Sequence, residues 1–166
     1  MTADEIKRTL HLIPHPEGGS YIQTYKSADS IPAEALGGCY SGPRSASTAI
    51  YYLLEPGTFS EIHRLRSDEI FHFYLGDAVE MLQLWPDGSS RAVRLGNDLT
   101  AGQRPQVVVP RDVWQGSRLV EGGRFALLGC TVAPGFEFAD YESGQREPLI
   151  AKYPSQQELI TTLTRR

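Results

Sequence analysis

The run Gly57-Thr58-Phe59-Ser60-Glu61-Ile62-His63-Arg64-Leu65-Arg66-Ser67-Asp68-Glu69, continuing to Gly76, decides how this chain is read. A glycine comes first, His63-Arg64-Leu65 follows after five residues, Glu69 after three more, and Gly76 after a further six. On a strand, residues two apart share a face, so His63 and Leu65 point the same way and Glu69 meets them from the next strand after a turn. The spacing thereby predicts an imidazole and a carboxylate facing one interior. A carboxylate buried in apolar surroundings costs on the order of several kcal/mol unless it is paired or used, so His63 and Glu69 read as a working pair.

The rest of the chain agrees with a strand reading of that run. Short β-rich stretches bounded by Gly, Pro, Asn and Asp recur over Tyr21 to Tyr25, Thr48 to Leu54, Ser60 to Leu65, Glu69 to Leu75, Val79 to Trp85, Arg91 to Leu95, Gln106 to Val109 and Phe125 to Val132. No helical pattern separates them, which excludes a βαβ fold and points to an antiparallel sandwich or barrel, a jelly roll. Two capping boxes, Thr2 with Glu5 and Ser155 with Glu158, predict short peripheral helices over about 2–10 and 155–163. The expected architecture is one all-β domain over 1–166 with its core barrel at about 20–135. The stretch from Ala28 to Gly42, rich in small residues, reads as a long mobile surface loop, with a lid or dimer contact as the functional alternative.

Bulk properties narrow the function. The 166 residues, 40% hydrophobic and 22% charged, are enough for one ordinary core. A formal net charge of −4 argues against nucleic acid or an anionic membrane as partner, since both need clustered positive charge. No apolar stretch is long enough to span a bilayer, and MTADEIKRTL lacks the core of a signal peptide, so the expected location is the cytoplasm. Cys39 and Cys130, the two cysteines, follow no metal-site spacing and are expected as free thiols.

A second run completes the pattern: Pro110-Arg111-Asp112-Val113-Trp114-Gln115. The two runs resemble the paired motifs of the cupin superfamily, whose metal-binding members place His, His and Glu in the first motif and a third His in the second. Here Leu65 and Gln115 stand where two of those imidazoles would be. With His15-Pro16-Glu17-Gly18-Gly19, Thr48 to Leu54, Ser67 to Tyr74, Val108-Val109-Pro110 and Val132 to Phe136, the chain resembles the small Cupin_5 family over nearly its whole length. That resemblance implies a double-stranded β-helix (a cupin jelly-roll barrel), similarity in fold to nucleotide-sugar epimerases and seed-storage cupins, and a homodimer. Phe71 where Trp is usual, and Arg111-Asp112 where small residues are common, depart from the family's pattern.

The expected function is a metal-independent isomerase, epimerase or lyase acting on a small polar metabolite, with His63 moving a proton and Glu69 assisting. One alternative is a non-catalytic module that binds a small ligand in the same cavity. A second is a divalent-metal enzyme with the ion held by His63, Glu69, Gln115 and His72, although regular pleating turns His72 away from Glu69. No cofactor is expected; two imidazoles fewer leave a weak site for a transition metal. Tyr51, Phe59, Leu65, Phe71, Phe73, Trp114, Gln115, His15 and Glu17 are the expected lining of the cavity. Arg44, Arg64 and Arg66 are candidate rim cations for an anionic substrate, solvated charge being the plainer reading of each.

Overall fold

A computed structural model describes residues 1–165. Helix α1 (Ala3–Leu10) precedes β1 (Ile13–Pro14), β2 (Ser20–Lys26) and β3 (Ser30–Ile31), and a single 3-10 turn over Ala33–Leu36 leads to β4 (Arg44–Ser45). The long strands follow: β5 (Thr48–Leu54), β6 (Phe59–Arg64), β7 (Asp68–Gly76), β8 (Val79–Leu84), β9 (Ser90–Leu95), β10 (Gln106–Val109), β11 (Trp114–Leu119) and β12 (Ala126–Ala133). After a 3-10 turn at Phe138–Asp140 come β13 (Glu142–Ser143), α2 (Arg146–Lys152) and α3 (Gln157–Thr162).

Two antiparallel sheets face each other. One runs in the order β1-β2-β5-β12-β7-β10, the other β13-β6-β11-β8-β9, and β3 pairs with β4 apart from both. From β5 to β8 each successive strand changes sheet, and the same exchange resumes from β9 through β12, which is the winding of a jelly-roll barrel. Tyr52, Leu54, Phe71, Phe73, Met81 and Leu128 fill the space between the sheets.

The outer faces are covered as well. Ile6 of α1 packs on Leu53 and Leu127, and Leu149, Tyr153, Ile160 and Leu163 of the C-terminal helices pack on Ile62, Leu82 and Leu84. A strand buried on both faces needs no polar alternation, which is why Thr48 to Leu54 reads as a nearly continuous apolar run. The Thr2 and Glu5 capping box forms as expected, with the Glu5 N–H donating to Thr2 Oγ1 at 3.2 Å and the Thr2 N–H donating to Glu5 Oε2 at 2.8 Å.

Four expectations are corrected. Ser155 does not cap a helix; it lies in a 3-10 turn over Pro154–Gln156, and α3 begins at Gln157 without a side-chain cap. Helix α2, which carries Pro148 in its first turn where a missing N–H does no harm, precedes it. The segment from Ala28 to Gly42 is not a plain loop, since it carries β3 and a 3-10 turn. Strand β11, Trp114–Leu119, adds a ninth long strand to the expected eight.

The pairing of β11 with β6 also contains the irregularity that shapes the interior. Gln115 pairs with His63 and Ser117 with Ser60, so Glu61 and Ile62 of β6 together oppose Gly116. This bulge lets Ser60 and His63, three residues apart, face the same interior while Ile62 turns outward to the helices. A Cβ on Gly116 would lie 2.8 Å from Ile62 Cγ1 and 3.1 Å from its backbone nitrogen, so the bulge depends on glycine there.

Candidate active site

A cavity of about 190 Å³ opens into one end of the barrel, walled by His15, Glu17, Tyr21, Ile50, His63, Leu65, Glu69, Cys130, Phe136 and Phe138 among others. Three expected lining residues, His15, Glu17 and Leu65, are in this wall together with the expected catalytic pair, His63 and Glu69. Gln115 stands just behind it, in a small void that shares His63, Leu65 and Glu69 with the cavity.

The other five are elsewhere. Phe71 and Phe73 do share the face of Glu69 but lie deeper, within the packed core. Tyr51 points out of the barrel, 5.9 Å from the Tyr74 ring, while Ile50 and Tyr52 take the interior. Phe59 and Trp114 pack among the outer apolar residues beneath the C-terminal helices, and the Arg64 guanidinium lies 4.5 Å above the Trp114 ring. His72 is outside too, with Nε2 3.2 Å from Thr131 Oγ1 and its ring parallel to Tyr74 at 6.4 Å, as regular pleating from Glu69 requires. Of the three candidate rim arginines, Arg66 is exposed and outside the cavity wall, and the other two are engaged. Arg44 is buried and donates two hydrogen bonds of 2.7 Å to Asp140, and Arg64 pairs with Glu142 at 2.8 Å.

His63 is fixed at both ring nitrogens. Nδ1 lies 2.7 Å from the Glu61 carbonyl oxygen, which can only accept, so Nδ1 carries the hydrogen and, in the neutral ring, the Nε2 lone pair faces the site. The Gln115 amide donates to that Nε2 at 2.9 Å and to Glu69 Oε2 at 3.2 Å, bridging the two residues expected to meet directly. The group that orients His63 is thus the Glu61 carbonyl rather than the Glu69 carboxyl. Tyr141 stacks on the imidazole at 4.9 Å and donates its hydroxyl to Glu61 at 2.5 Å, clamping the ring from its face.

Glu17 is the residue whose importance the sequence understated. Its Oε2 lies 3.4 Å from His63 Nε2, and its Oε1 accepts from Ser60 at 3.3 Å. It sits in a turn where the His15 N–H donates to Gly19 O and the Gly18 N–H to His15 O, both at 3.0 Å. Gly18 and Gly19 have φ of 114° and 68°, and a Cβ on Gly18 would fall 2.0 Å from the Phe59 carbonyl oxygen, so no other residue fits the first position. Tyr52 donates to Gly18 O at 2.7 Å from beneath. Arg165 holds the turn from outside through Pro16 O while pairing with Glu61 at 2.9 Å.

Burial dominates the electrostatics. It pushes Glu17 up to about 8 and Glu69 up to about 7, and it lowers His15 to about 4 and His63 below its ordinary value. Glu17 and His63 lie within ion-pair distance, yet burial is the largest influence on each and disfavours both charged forms, so both are neutral near pH 7. The result is a lone pair on His63 beside two carboxyl groups whose protons come off in the neutral range.

The side chains do not match a cupin metal centre. Leu65 offers no donor, Gln115 turns its amide N–H groups toward His63 and Glu69, and no group of three His, Cys, Asp or Glu among the described residues is arranged around an ion. The second motif also lacks its usual glycine: Asp112 takes that place in the left-handed region with φ of 65°, which aspartate tolerates better than most residues.

A jelly-roll barrel with a polar cluster buried in one open end defines a cupin. The chain belongs to the family described as the cupin superfamily DUF985 (Cupin_5), whose model matches residues 4–144. It is 32% identical over 139 residues to an uncharacterized protein of Saccharomyces cerevisiae, covering 78% of this chain and 69% of that one. Among solved structures it is similar to a hypothetical protein from Leishmania major, with TM-score 0.90 and 29% identity over all of both chains. A Shewanella oneidensis protein is similar too, with TM-score 0.88 and 36% identity over 99% of this chain and 98% of that one. No helix of the described residues is long and apolar enough to cross a membrane.

Proposed function

We propose that the cavity is the active site of an enzyme that moves a proton on a small polar metabolite without a metal ion, as an isomerase, epimerase or lyase. The observation that carries this reading is the fixed His63 tautomer: Nδ1–H is spent on the Glu61 carbonyl, and Nε2 faces Glu17 directly and Glu69 through the Gln115 amide, carboxyls that burial raises to about 8 and about 7. His63 Nε2 takes the proton from substrate carbon. Glu17, or Glu69 behind Gln115, returns one to the other end of the shifting double bond or to a leaving oxygen, and exchange among the three groups restores the starting state.

The experiment is to incubate the protein with a metabolite extract in D2O and follow mass shifts and product formation against a no-protein control. Conversion or deuterium uptake in a specific metabolite is expected, and His63→Ala is expected to slow it by about 10²- to 10⁴-fold. Unchanged turnover by His63→Ala counts against the reading. A non-catalytic ligand-binding cupin is the second reading, favoured by the Gln115 amide already occupying His63 Nε2. It requires saturable binding of a metabolite that emerges unaltered.

The working form we propose is a cytoplasmic homodimer. Two unpaired cysteines suit a reducing compartment, and Tyr74 and Val108, 46% and 45% exposed on the six-stranded sheet outside α1, offer apolar surface to a second copy.

A further inference from the structure

We propose that the cavity takes a small organic cation, a protonated amine on an apolar body, because its wall sets Glu17 and Glu69 against the rings of Tyr21, Phe136 and Phe138 and contains no lysine or arginine among the described residues. This rests on the reading of the cavity as the active site and names the class of molecule that it admits.

Charge balance argues for it. Three neighbouring guanidiniums are already matched, Arg44 with Asp140, Arg64 with Glu142 and Arg165 with Glu61, and Arg66 is exposed and outside the cavity wall. His15 and His63 are kept neutral by burial. A phosphate or carboxylate entering the cavity would lose its water and meet no positive partner, which is the costly way to bury a charge. An ammonium meets two carboxyls instead. Glu17 is faced by Ser60, His15, His63 and Glu61, with the nearby Arg165 guanidinium paired to Glu61 rather than to it, and Glu69 is faced by His63, Glu17, Gln115 and Cys130, so neither carboxyl is itself paired with a cation.

Two further features fit an amine. Phe136 and Phe138 meet edge to face at 5.0 Å, and His15 meets Tyr21 likewise at 4.3 Å, giving an aromatic enclosure that attracts cations through ring quadrupoles. The volume of about 190 Å³ is below that of pockets for drug-sized ligands, which limits the body to something like one six-membered ring.

Binding of an ammonium would pair a carboxyl that burial alone keeps protonated. That carboxyl ionises, its proton leaves to the buffer, and the O–H bond is replaced by an N–H···O contact. The test uses three inert probes of similar shape and different charge: benzylamine, benzyl alcohol and benzoate. Each is titrated into the full-length protein by calorimetry near pH 6.5 in two buffers of different ionisation enthalpy. Benzylamine is expected to bind with proton release, benzyl alcohol at least about tenfold more weakly, and benzoate not at all. Glu17→Gln and Glu69→Gln are each expected to weaken benzylamine by about tenfold or more. Phe138→Ala, at a lip residue 55% exposed, is expected to do so without touching the buried wall, and serves if a glutamate variant fails to fold.

Benzoate or benzyl alcohol binding as tightly as benzylamine overturns the proposal, as does absence of benzylamine binding. None of the probes turns over, so these outcomes bear on the class of ligand alone. The His63→Ala turnover experiment bears on proton transfer alone.

Discussion

Arg44→Met is expected to destabilise the protein by about 3–5 kcal/mol, a fall in melting temperature on the order of 10 °C. Arg44 and Asp140 have side chains 4% and 3% exposed and share two parallel hydrogen bonds of 2.7 Å. Removing the guanidinium leaves a carboxylate out of water with no partner, and the Gly42 and Pro43 carbonyls lose their donor as well. The double variant Arg44→Met/Asp140→Leu is expected to recover most of the loss, because deleting both charges removes the penalty together with the attraction. Urea denaturation of the two variants and the parent decides the matter; a single variant within about 1 kcal/mol of the parent contradicts the account. The pair also ties β4 to the turn that presents Phe138 to the cavity and leads into Tyr141, so the single variant is expected to loosen the clamp on His63.

Stability is expected to fall as pH rises from about 6.5 to 8. Burial raises Glu17 from 4.5 to about 8 and Glu69 from 4.5 to about 7, so over that window the folded protein holds protons that the unfolded chain has released. Their contribution is complete below 4.5 and is lost as pH climbs through the raised values. His15, lowered from 6.5 to about 4, and His63, lowered in the same direction, act oppositely: the unfolded chain binds the extra protons, and stability rises with pH up to about 6.5. The two effects oppose one another between 4.5 and 6.5, and above that the carboxyls act alone, at about 1.4 kcal/mol per pH unit for each that still keeps its proton. Denaturation midpoints across this range should trace the decline, and Glu17→Gln, which has nothing to ionise, should flatten it. A parent curve that is level or rising from 6.5 to 8 contradicts the assignment.

The fold was legible because its strands are short, apolar and separated by turn residues; Thr48–Leu54 and Gln106–Val109 match their expected bounds. Strand β11 escaped because Trp-Gln-Gly-Ser-Arg looks like a loop, and it looks so because Gln115, Gly116 and Ser117 serve the interior cluster and the bulge rather than the hydrophobic core. His63, Glu69 and Gln115 were visible through motif spacing. The choice of Tyr51 over Ile50 failed for a definite reason: α1 covers the outer face of β5, so both sides are apolar and alternation gives a period without a direction. Nothing local marked Cys130, Phe136 or Phe138 as cavity residues, although Phe136 lies in a stretch that carries the family resemblance, since only the closure of the barrel brings them to His63.

The Gly18 and Gly19 turn divides the cavity into parts that can and cannot be redesigned. A side chain at position 18 would strike the Phe59 carbonyl and one at 19 the Leu53 carbonyl, so the loop presenting Glu17 has a single shape, fixed when the chain folds. A ligand therefore finds this carboxyl already in place and loses no affinity to ordering it. Phe138, at the lip of the cavity and more than half exposed, supports little of the core. Changes in what the cavity accepts can accumulate at that lip while the floor that carries the acid stays constant, which is the arrangement from which one scaffold diverges in specificity without losing its chemistry.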